Sequence, residues 1–224
     1  MASGGAKSAT SLPHSPSLPA QLDPAPEELT ARDHWECVHV DGSVVLTDSL
    51  ADVTVRESTW EGVDLSGRRL TGFRAMDVVF SRCDFSGADL DGAQLTRVVF
   101  SGCRLTGTTL SGTQLEDVLV EDSTADFVNF RAAHTERLSI ERTSLCEADF
   151  YEAKLTRSAI LDSDLTGANF TKVSAMGLEL FGSTLEDVHD AGALAGAHIS
   201  GDQAIPMGAL LLASLGIAVV ERSR

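Results

Sequence analysis

The sequence is poor in basic residues, in aromatic residues and in cysteine. Among its 224 residues, 17 are Lys or Arg and 33 are Asp or Glu, which gives a formal net charge of −16. A surface this acidic repels nucleic acids and anionic lipid headgroups, so direct binding to either is excluded as the main function. It attracts basic clefts instead, and we expect a partner of that kind. Four cysteines are too few to make a disulfide scaffold.

The sequence also lacks the patterns of an enzyme or a metalloprotein. Its six histidines are scattered, and the one local group, His34, Glu36, Cys37 and His39, does not have the spacing of a zinc site. No glycine-rich phosphate loop and no nucleophile elbow occurs. We therefore expect no catalysis, no cofactor and no metal, and we predict a protein that acts by binding.

The N-terminal residues 1–34 are predicted to form a disordered arm, because residues 1–30 are rich in Ser, Pro, Ala and Gly and contain no aromatic side chain. They lack the apolar run of a secretory signal peptide, so we expect a cytoplasmic protein. Residues 35–47 contain several valines and are predicted to form an irregular first rung that caps the domain behind them.

What the sequence does contain is a period of five residues. From Leu50 to Leu185 every fifth residue is apolar except Thr135. Helices repeat near 3.6 residues and strands at 2, so this period requires a unit that turns a corner once per pentapeptide. Two residues before each of these positions the side chain is mostly Ala, Cys, Ser, Thr or Val, so two side chains of each unit face inward. The pattern predicts an all-β solenoid over residues 48–200.

The repeat unit resembles that of a known family. Ala88–Gly92, Ala148–Glu152 and Ala168–Lys172 are similar to the A-(D/N)-L-x-x unit of pentapeptide repeat proteins. The resemblance implies a right-handed quadrilateral β-helix with four pentapeptides per coil, about seven coils in all and a rod about 34 Å long. Residues 20 apart would then stack, which predicts aromatic ladders of Phe130, Phe150 and Phe170 and of Trp60, Phe80 and Phe100.

Residues 201–224 are predicted to close the open end of the solenoid. A helix is expected to run to about Leu215 with Gly216 as its stop, followed by a short strand over residues 217–220. Residues 203–220 carry no charge, but Pro206 and Gly208 interrupt them, so a cap is favoured over a membrane anchor. Members of the family that dimerise through their C-termini end in a similar way, which implies a homodimer. The predicted dimerisation residues are Met207, Leu210, Leu211, Leu212 and Leu215.

The quadrilateral coil sorts the acidic residues by face. The face that contains Leu65, Phe85 and Leu105 and the face that follows it along the chain carry most of them. A narrow acidic rod is similar to duplex DNA in width and sign. Pentapeptide repeat proteins of the Qnr and mycobacterial fluoroquinolone-resistance types bind DNA gyrase in place of DNA, so the resemblance implies a bacterial DNA mimic that modulates gyrase or protects it from quinolones. The predicted partner-binding residues are Asp64, Asp84, Asp89, Asp91, Asp126, Glu147, Asp149 and Asp164.

Two alternatives stay open. The chain has no projecting loops of the Qnr type, and its N-terminal arm is longer than in the mycobacterial type, so it could be a protein-interaction scaffold with no topoisomerase role. Such a scaffold would use the face with mixed charge or the apolar stripe of Val79, Val99, Leu119 and Ala159, although β-branched residues also simply favour strands. The acidic surface could also serve solubility alone.

Overall fold

The computed structural model describes residues 12–218, which form a parallel β-solenoid of about seven coils followed by one α-helix. The fold class predicted from the pentapeptide pattern is confirmed. A short 3₁₀ helix, Ala191–Leu194, precedes the α-helix α1, Ala204–Ser214. The strands are β1 Asp23–Pro24, β2 Glu28–Leu29, β3 His34–Glu36, β4 Val38–Asp41, β5 Val45–Leu46, β6 Thr54–Glu61, β7 Arg74–Ser81, β8 Gln94–Ser101, β9 Gln114–Glu121, β10 His134–Glu141, β11 Lys154–Thr156 and β12 Ala159–Leu161.

Each coil has four sides because the backbone turns a corner after every fifth residue. Strands β6 to β10 pair in parallel with a constant shift of 20 residues, and single bridges such as Asp64↔Asp84 carry the same shift along the other sides. The corners of one coil are Glu57, Gly62, Gly67 and Gly72, all with positive φ. Glycine suits such a corner because it has no Cβ to clash in the left-handed region. One sequence unit therefore makes one side of a square.

The two inward columns fill the interior. Side chains at the central position of each pentapeptide and two residues before it are buried along the whole rod. The one polar central residue, Thr135, is also buried, and its hydroxyl is satisfied by Oγ of Ser158 at 2.8 Å. Consecutive coils stack Phe130, Phe150 and Phe170 with ring centroids 5.1 and 5.2 Å apart and nearly parallel planes. This confirms the predicted ladder.

Cys83 and Cys103 lie on consecutive coils of the inward small-residue column, as the 20-residue shift requires. Both are buried free thiols, and each lies within 3.5 Å of a backbone carbonyl oxygen. Burial raises the pKa of the Cys103 thiol, so it stays protonated at neutral pH.

We name the four faces by their side chains in every 20-residue repeat. The mixed face contains residues 53–57 and their equivalents, and its last position forms the charged corner: Glu57, Asp77, Arg97, Asp117, Arg137 and Arg157. The aliphatic face contains residues 58–62, the acidic face residues 63–67 and the fourth face residues 68–72, each with their equivalents. In a square coil the mixed face lies opposite the acidic face.

The N-terminal end corrects the prediction of a disordered arm. From residue 12 to residue 34 the chain is placed against the solenoid: β1 pairs with β4, β2 pairs with β5, and Leu29 is fully buried. Residues 35–47 are not an irregular cap alone, since β3 and β4 join β6 at the regular 20-residue shift. This segment has little to bury by itself, but the edge of the first coil offers unpaired backbone groups that it satisfies. Residues 1–11 lie outside the described part.

The C-terminal end is closed by the predicted helix. The bridge between Glu179 and His198 has a shift of 19 residues, so the repeat slips by one near the end, as the sequence predicts. Gln203 precedes the helix, and its side-chain amide donates to the carbonyl oxygen of Leu180, a group that a further coil would otherwise pair. Gly216 has positive φ and ends the helix. The predicted strand over 217–220 starts with two residues that are not strand, and its remainder lies outside the described residues.

Candidate protein-binding surface

The acidic face carries five of the eight predicted partner-binding residues. Asp64 and Asp84 are bridged neighbours on consecutive coils, and Asp164 lies four coils beyond Asp84 in the same ladder. The ladder between them contains Arg104, Thr124 and Ser144, so the carboxylates do not form an unbroken row. Asp126 and Glu147 fill this gap from the neighbouring positions of the same face. Across residues 63–187 the face has seven carboxylates and one cation, Arg104.

Most of these aspartates also hold a turn. Oδ1 of Asp64, Asp84 and Asp164 accepts the backbone N–H of the residue two positions later at 2.8–3.0 Å. Asn129 and Asn169 make the same contact at equivalent positions of the fourth face. This Asx turn explains why the repeat prefers Asp or Asn at this position: the side chain replaces a missing backbone acceptor at the corner. One oxygen of each carboxylate is used internally, and the other faces outward.

Turn formation also keeps these groups ionised. The hydroxyl and N–H of Ser66 lower the pKa of Asp64, and Thr166 lowers the pKa of Asp164 in the same way. Hydrogen bonds that stabilise the charged form of a carboxyl make it a stronger acid. Both carboxylates therefore carry their charge at any pH above the ordinary range of Asp, in the free protein and before any partner binds.

The remaining predicted residues have different surroundings. Asp126 accepts the N–H of Cys146 at 3.1 Å, and the exposed Glu147 lies over Gly167 of the next coil. On the fourth face, Asp89 accepts the N–H of Asp91 at 3.1 Å. Asp149 is partly neutralised, because Arg131 lies 2.9 Å from it. The structure brings these three aspartates onto the face next to the acidic face, not into it.

Ion pairs set the balance of charge between the faces. Within residues 12–218, Asp84 and Asp149 are the only ones of the eight that have a Lys or Arg at salt-bridge distance, and the Asp84 contact to Arg104 is long at 3.3 Å. By contrast, Arg137 on the mixed face pairs with Asp117, Glu116 and Glu136. The acidic face therefore has the larger share of uncompensated negative charge.

Phe127 is a candidate residue that the sequence analysis missed. It occupies a corner of the acidic face between Asp126 and Glu147, its side chain is 62% exposed, and its φ is 58°. The equivalent corner in four other coils is glycine. A large apolar residue in the left-handed region and in contact with water is unfavourable in the free protein on both counts. The signal in the sequence is a phenylalanine in a glycine column, and such a residue is a candidate contact for a partner.

The alternative apolar stripe is less available than Phe127. Val79, Val99 and Leu119 stack on consecutive strands of the aliphatic face and are half-buried, while Ala159 is buried. Their arrangement is that of strand residues packed beside their neighbours along the sheet.

The helix α1 exposes part of its apolar surface. Met207 is buried against the end of the solenoid, so it serves as a cap and is not available as the dimer contact predicted for it. Leu210 and Leu212 are half-buried, while Leu211 is 37% and Leu215 73% exposed. Sequence reasoning missed Ile205 and Ile217, which are 84% and 50% exposed. One side of a helix caps the core, and the helical period decides which leucines remain outside.

The described residues contain neither a metal cluster nor a helix long and apolar enough to span a membrane. No group of three His, Cys, Asp or Glu side chains between residues 12 and 218 comes together as metal ligands would.

The family follows from the repeat itself. The model of the pentapeptide repeat region matches residues 52–130, 73–150 and 93–170, which together cover more than half of the chain. The chain is a pentapeptide repeat protein. No curated protein matches the sequence of this pentapeptide repeat protein significantly.

Solved pentapeptide repeat proteins share its fold. A trypsin-treated form of QnrB1, a plasmid-mediated fluoroquinolone resistance protein, is 18% identical, with 88% of this chain and 96% of that chain covered and a TM-score of 0.48. HetL, involved in heterocyst differentiation regulation in the cyanobacterium Nostoc sp. strain PCC 7120, is 16% identical, with 75% and 89% covered and a TM-score of 0.35. A protein from the thylakoid lumen of Arabidopsis thaliana is 24% identical, with 50% and 65% covered and a TM-score of 0.28. These roles and locations differ, so family membership does not choose the partner.

Proposed function

We propose that this pentapeptide repeat protein is a cytoplasmic, non-catalytic binding protein that presents its acidic face to the basic DNA-binding surface of a partner. DNA gyrase is the leading candidate, and the protein would modulate gyrase or protect it from quinolones. The observation that supports the proposal is the acidic face itself: seven carboxylates and one arginine along one side of a straight rod.

The spacing of the carboxylates suits a surface that normally binds DNA. Neighbouring coils place side chains about 4.8 Å apart along the rod, against about 3.4 Å between phosphates along one DNA strand. Because Asp64, Asp84 and Asp164 are held by turns of the rod, little conformational entropy is lost when a partner binds them. The charges are arranged in advance, as phosphates are in a duplex.

Phe127 gives the acidic face something that DNA does not have. Carboxylates alone provide attraction that weakens as salt increases, and they discriminate poorly between basic surfaces. An exposed aromatic side chain surrounded by charge is typical of residues that contribute most of the binding energy in protein interfaces. We infer that Phe127 enters an apolar pocket of the partner while the carboxylates orient the rod.

Neutralising three aspartates of the acidic face tests the proposal. The variant D64N/D84N/D164N keeps every Asx turn, since Asn129 and Asn169 already occupy this position in other coils. We expect wild-type protein at about micromolar concentration to inhibit supercoiling by purified gyrase, and the variant to need about tenfold more protein or greater. Inhibition by the wild type should also weaken between about 50 and 200 mM salt, since charge attraction is screened.

The matched control changes the net charge equally on the opposite face. E57Q/E116Q/E136Q removes three negative charges from the mixed face and should inhibit gyrase as the wild type does. Equal loss of activity in both variants would mean that net charge alone matters. Wild-type protein without effect on gyrase at about micromolar concentration would remove gyrase as the partner.

A second variant separates the aromatic contact from the charge. Phe127→Gly restores the glycine of the neighbouring corners, so we expect unchanged or slightly higher stability, by up to about 1 kcal/mol, because the left-handed strain disappears. Inhibition of gyrase should fall by about tenfold or more if Phe127 is the apolar contact. Urea unfolding and the supercoiling assay measure the two effects. A variant that inhibits fully would contradict the role assigned to Phe127.

We also propose a homodimer formed through α1. Ile205, Leu211, Leu215 and Ile217 expose large apolar side chains at one end of the rod, and a second copy would cover them. The variant L211E/L215E should then be monomeric where the wild type is a dimer, and light scattering at several concentrations distinguishes the two. A monomeric wild type at about 100 μM would contradict the proposal, since a stable dimer binds more tightly than that.

A further inference from the structure

The segment Leu12–Leu22, which we call the strap, lies along the outside of the rod. Ser17 donates its backbone N–H to Oδ1 of Asp77 at 2.8 Å. His14 donates its backbone N–H to Oδ1 of Asp117 at 3.0 Å, and its ring Nδ1 lies 2.9 Å from the same oxygen. Asp77 and Asp117 belong to the charged corner and are separated by two coils. The strap therefore runs parallel to the rod axis and across the coils.

The sequence of the strap dictates its conformation. Proline occurs at every third position, as Pro13, Pro16 and Pro19. Each proline fixes its own φ and restricts the residue before it to extended or polyproline II geometry. Between Leu12 and Pro19 only two residues escape both restrictions, and these are His14 and Ser17, whose N–H groups bind the rod.

Burial within the strap follows the same period of three. Pro13, Pro16 and Pro19 are half-buried, while the residues between them are exposed. A polyproline II helix has three residues per turn, so all three rings lie on one side of it. That side packs on the rod, and the side chains of Leu12 and Leu18 point away from it into solvent.

The repeat of the strap matches the repeat of the rod. Three residues of polyproline II advance about 9.3 Å, and two coils of the solenoid advance about 9.6 Å. Successive N–H groups after proline therefore meet carboxylates on alternate coils. The charged corner provides this alternation, because aspartate and arginine follow each other as Asp77, Arg97, Asp117 and Arg137.

The arginines hold the acceptor carboxylates in place. Arg97 donates two hydrogen bonds to Asp77 at 2.7 and 2.6 Å, and Arg137 donates two to Asp117 at 2.6 and 2.8 Å. Each carboxylate is thereby fixed from one side and leaves Oδ1 to accept the strap as well. Both aspartates are buried once the strap is in place.

We propose that the charged corner is a receptor site for polyproline II segments with proline at every third position, that the strap is its resident occupant, and that a matching segment of a partner protein replaces the strap. The site contacts proline rings and the N–H groups that follow them, and neither feature is particular to this chain. Peptides of this conformation bind with little loss of entropy because they are already extended in solution. The proposal does not depend on gyrase, which would bind the opposite face.

A labelled peptide with the sequence of residues 12–22 is the probe, and fluorescence anisotropy measures its binding to the full chain. In the wild type the strap competes at an effective concentration of about millimolar, so binding should be weak. In the full-length variant P13G/P16G/P19G the strap is no longer preorganised, and the peptide should bind at least about tenfold more tightly. Adding D77N/D117N to this variant should reduce binding by about tenfold or more.

Two controls isolate the repeat match and the site. Asp122 is also a corner residue with positive φ and an arginine partner, but it lies in the neighbouring corner, so D122N should leave peptide binding unchanged. A peptide of the same composition with proline at every fourth position should not bind. Equal binding of both peptides, or no binding to P13G/P16G/P19G at about 1 mM, would overturn the proposal.

Nuclear magnetic resonance on the wild type keeps the test independent of the glycine variant. Excess peptide should move the amide signals of His14 and Ser17 to the positions of an unbound segment, and signals that stay in place would contradict replacement of the strap. If the strap instead exchanged between two copies, D77N/D117N would abolish dimerisation of the wild type. That result would overturn the partner segment in favour of a second copy.

Discussion

Phe150→Ala is expected to remove about 3–5 kcal/mol from the free energy of unfolding. Phe150 is fully buried and lies between Phe130 and Phe170, with both ring stacks nearly parallel. Truncation removes its own burial, leaves a cavity in the middle of the rod and breaks two aromatic contacts at once. Each coil contacts only its neighbours, so the defect separates the coils on its two sides and should lower the cooperativity of unfolding. Urea unfolding followed by circular dichroism measures both effects.

Two further variants show whether the position or the ring is responsible. Phe150→Leu inserts the residue found at the equivalent positions Leu90 and Leu110 and should cost less than about 1.5 kcal/mol. Phe127→Ala removes an exposed ring and should change stability by about 1 kcal/mol at most. A loss below about 1 kcal/mol for Phe150→Ala would mean that the stack does not hold the rod together.

Arg137→Met is expected to destabilise the protein by roughly 2–3 kcal/mol. The guanidinium of Arg137 is 13% exposed and donates to Asp117, which is 5% exposed, and also to Glu116 and Glu136. Methionine fills a similar volume but leaves Asp117 buried with only the His14 segment as a partner. Removing one partner of a buried pair costs more than the pair contributes, because the remaining charge is uncompensated. Thermal or urea unfolding measures the loss.

The effect of Arg137→Met should depend on pH. Arg137, followed by the backbone and ring of His14, lowers the pKa of Asp117 below its ordinary value of 3.8. A carboxyl with a depressed pKa in the folded state stabilises the protein above the unfolded pKa, and this contribution disappears as pH falls through the folded value. The difference in stability between wild type and Arg137→Met should therefore be full above about pH 5 and shrink below about pH 4.

Arg142→Met is the matched control. Arg142 also has positive φ, sits on the next corner and donates to three carboxylates, those of Asp122, Glu121 and Glu141. Its side chain is 46% exposed and that of Asp122 57%, so water screens the pairs and the loss should be small. Equal losses for the two arginines would show that burial at the charged corner is not the cause.

The pentapeptide pattern was sufficient to predict the coil because both of its columns point inward at every unit. Nothing distant in the chain can change that: a shift of one residue would expose Leu90 or Phe150, so the register is set locally and then repeated every 20 residues. The same argument predicts which rings stack. It also predicts the slip near Leu194, where the apolar step moves by one residue.

The roles of individual surface residues were less accessible to this reasoning. Asp64 and Asp164 were predicted as binding residues from their charge, but their carboxylates also close turns, and Asn129 reveals this only once the hydrogen bonds are seen. Met207 is apolar like Leu215, and the direction of the helix axis against the last coil decides that one is buried and the other exposed.

The sequence by itself determined the square coil, its aromatic ladders and the uneven distribution of acidic residues over the faces, since each follows from a short repeat that carries its own packing instruction. Only the tertiary structure decided the fate of the first residues. Their composition indicates disorder because they have too little apolar surface to fold alone, yet the coils supply carboxylates on alternate rungs at the spacing of proline-rich chain. An acceptor built from residues 77 and 117 does not exist until the rod has wound.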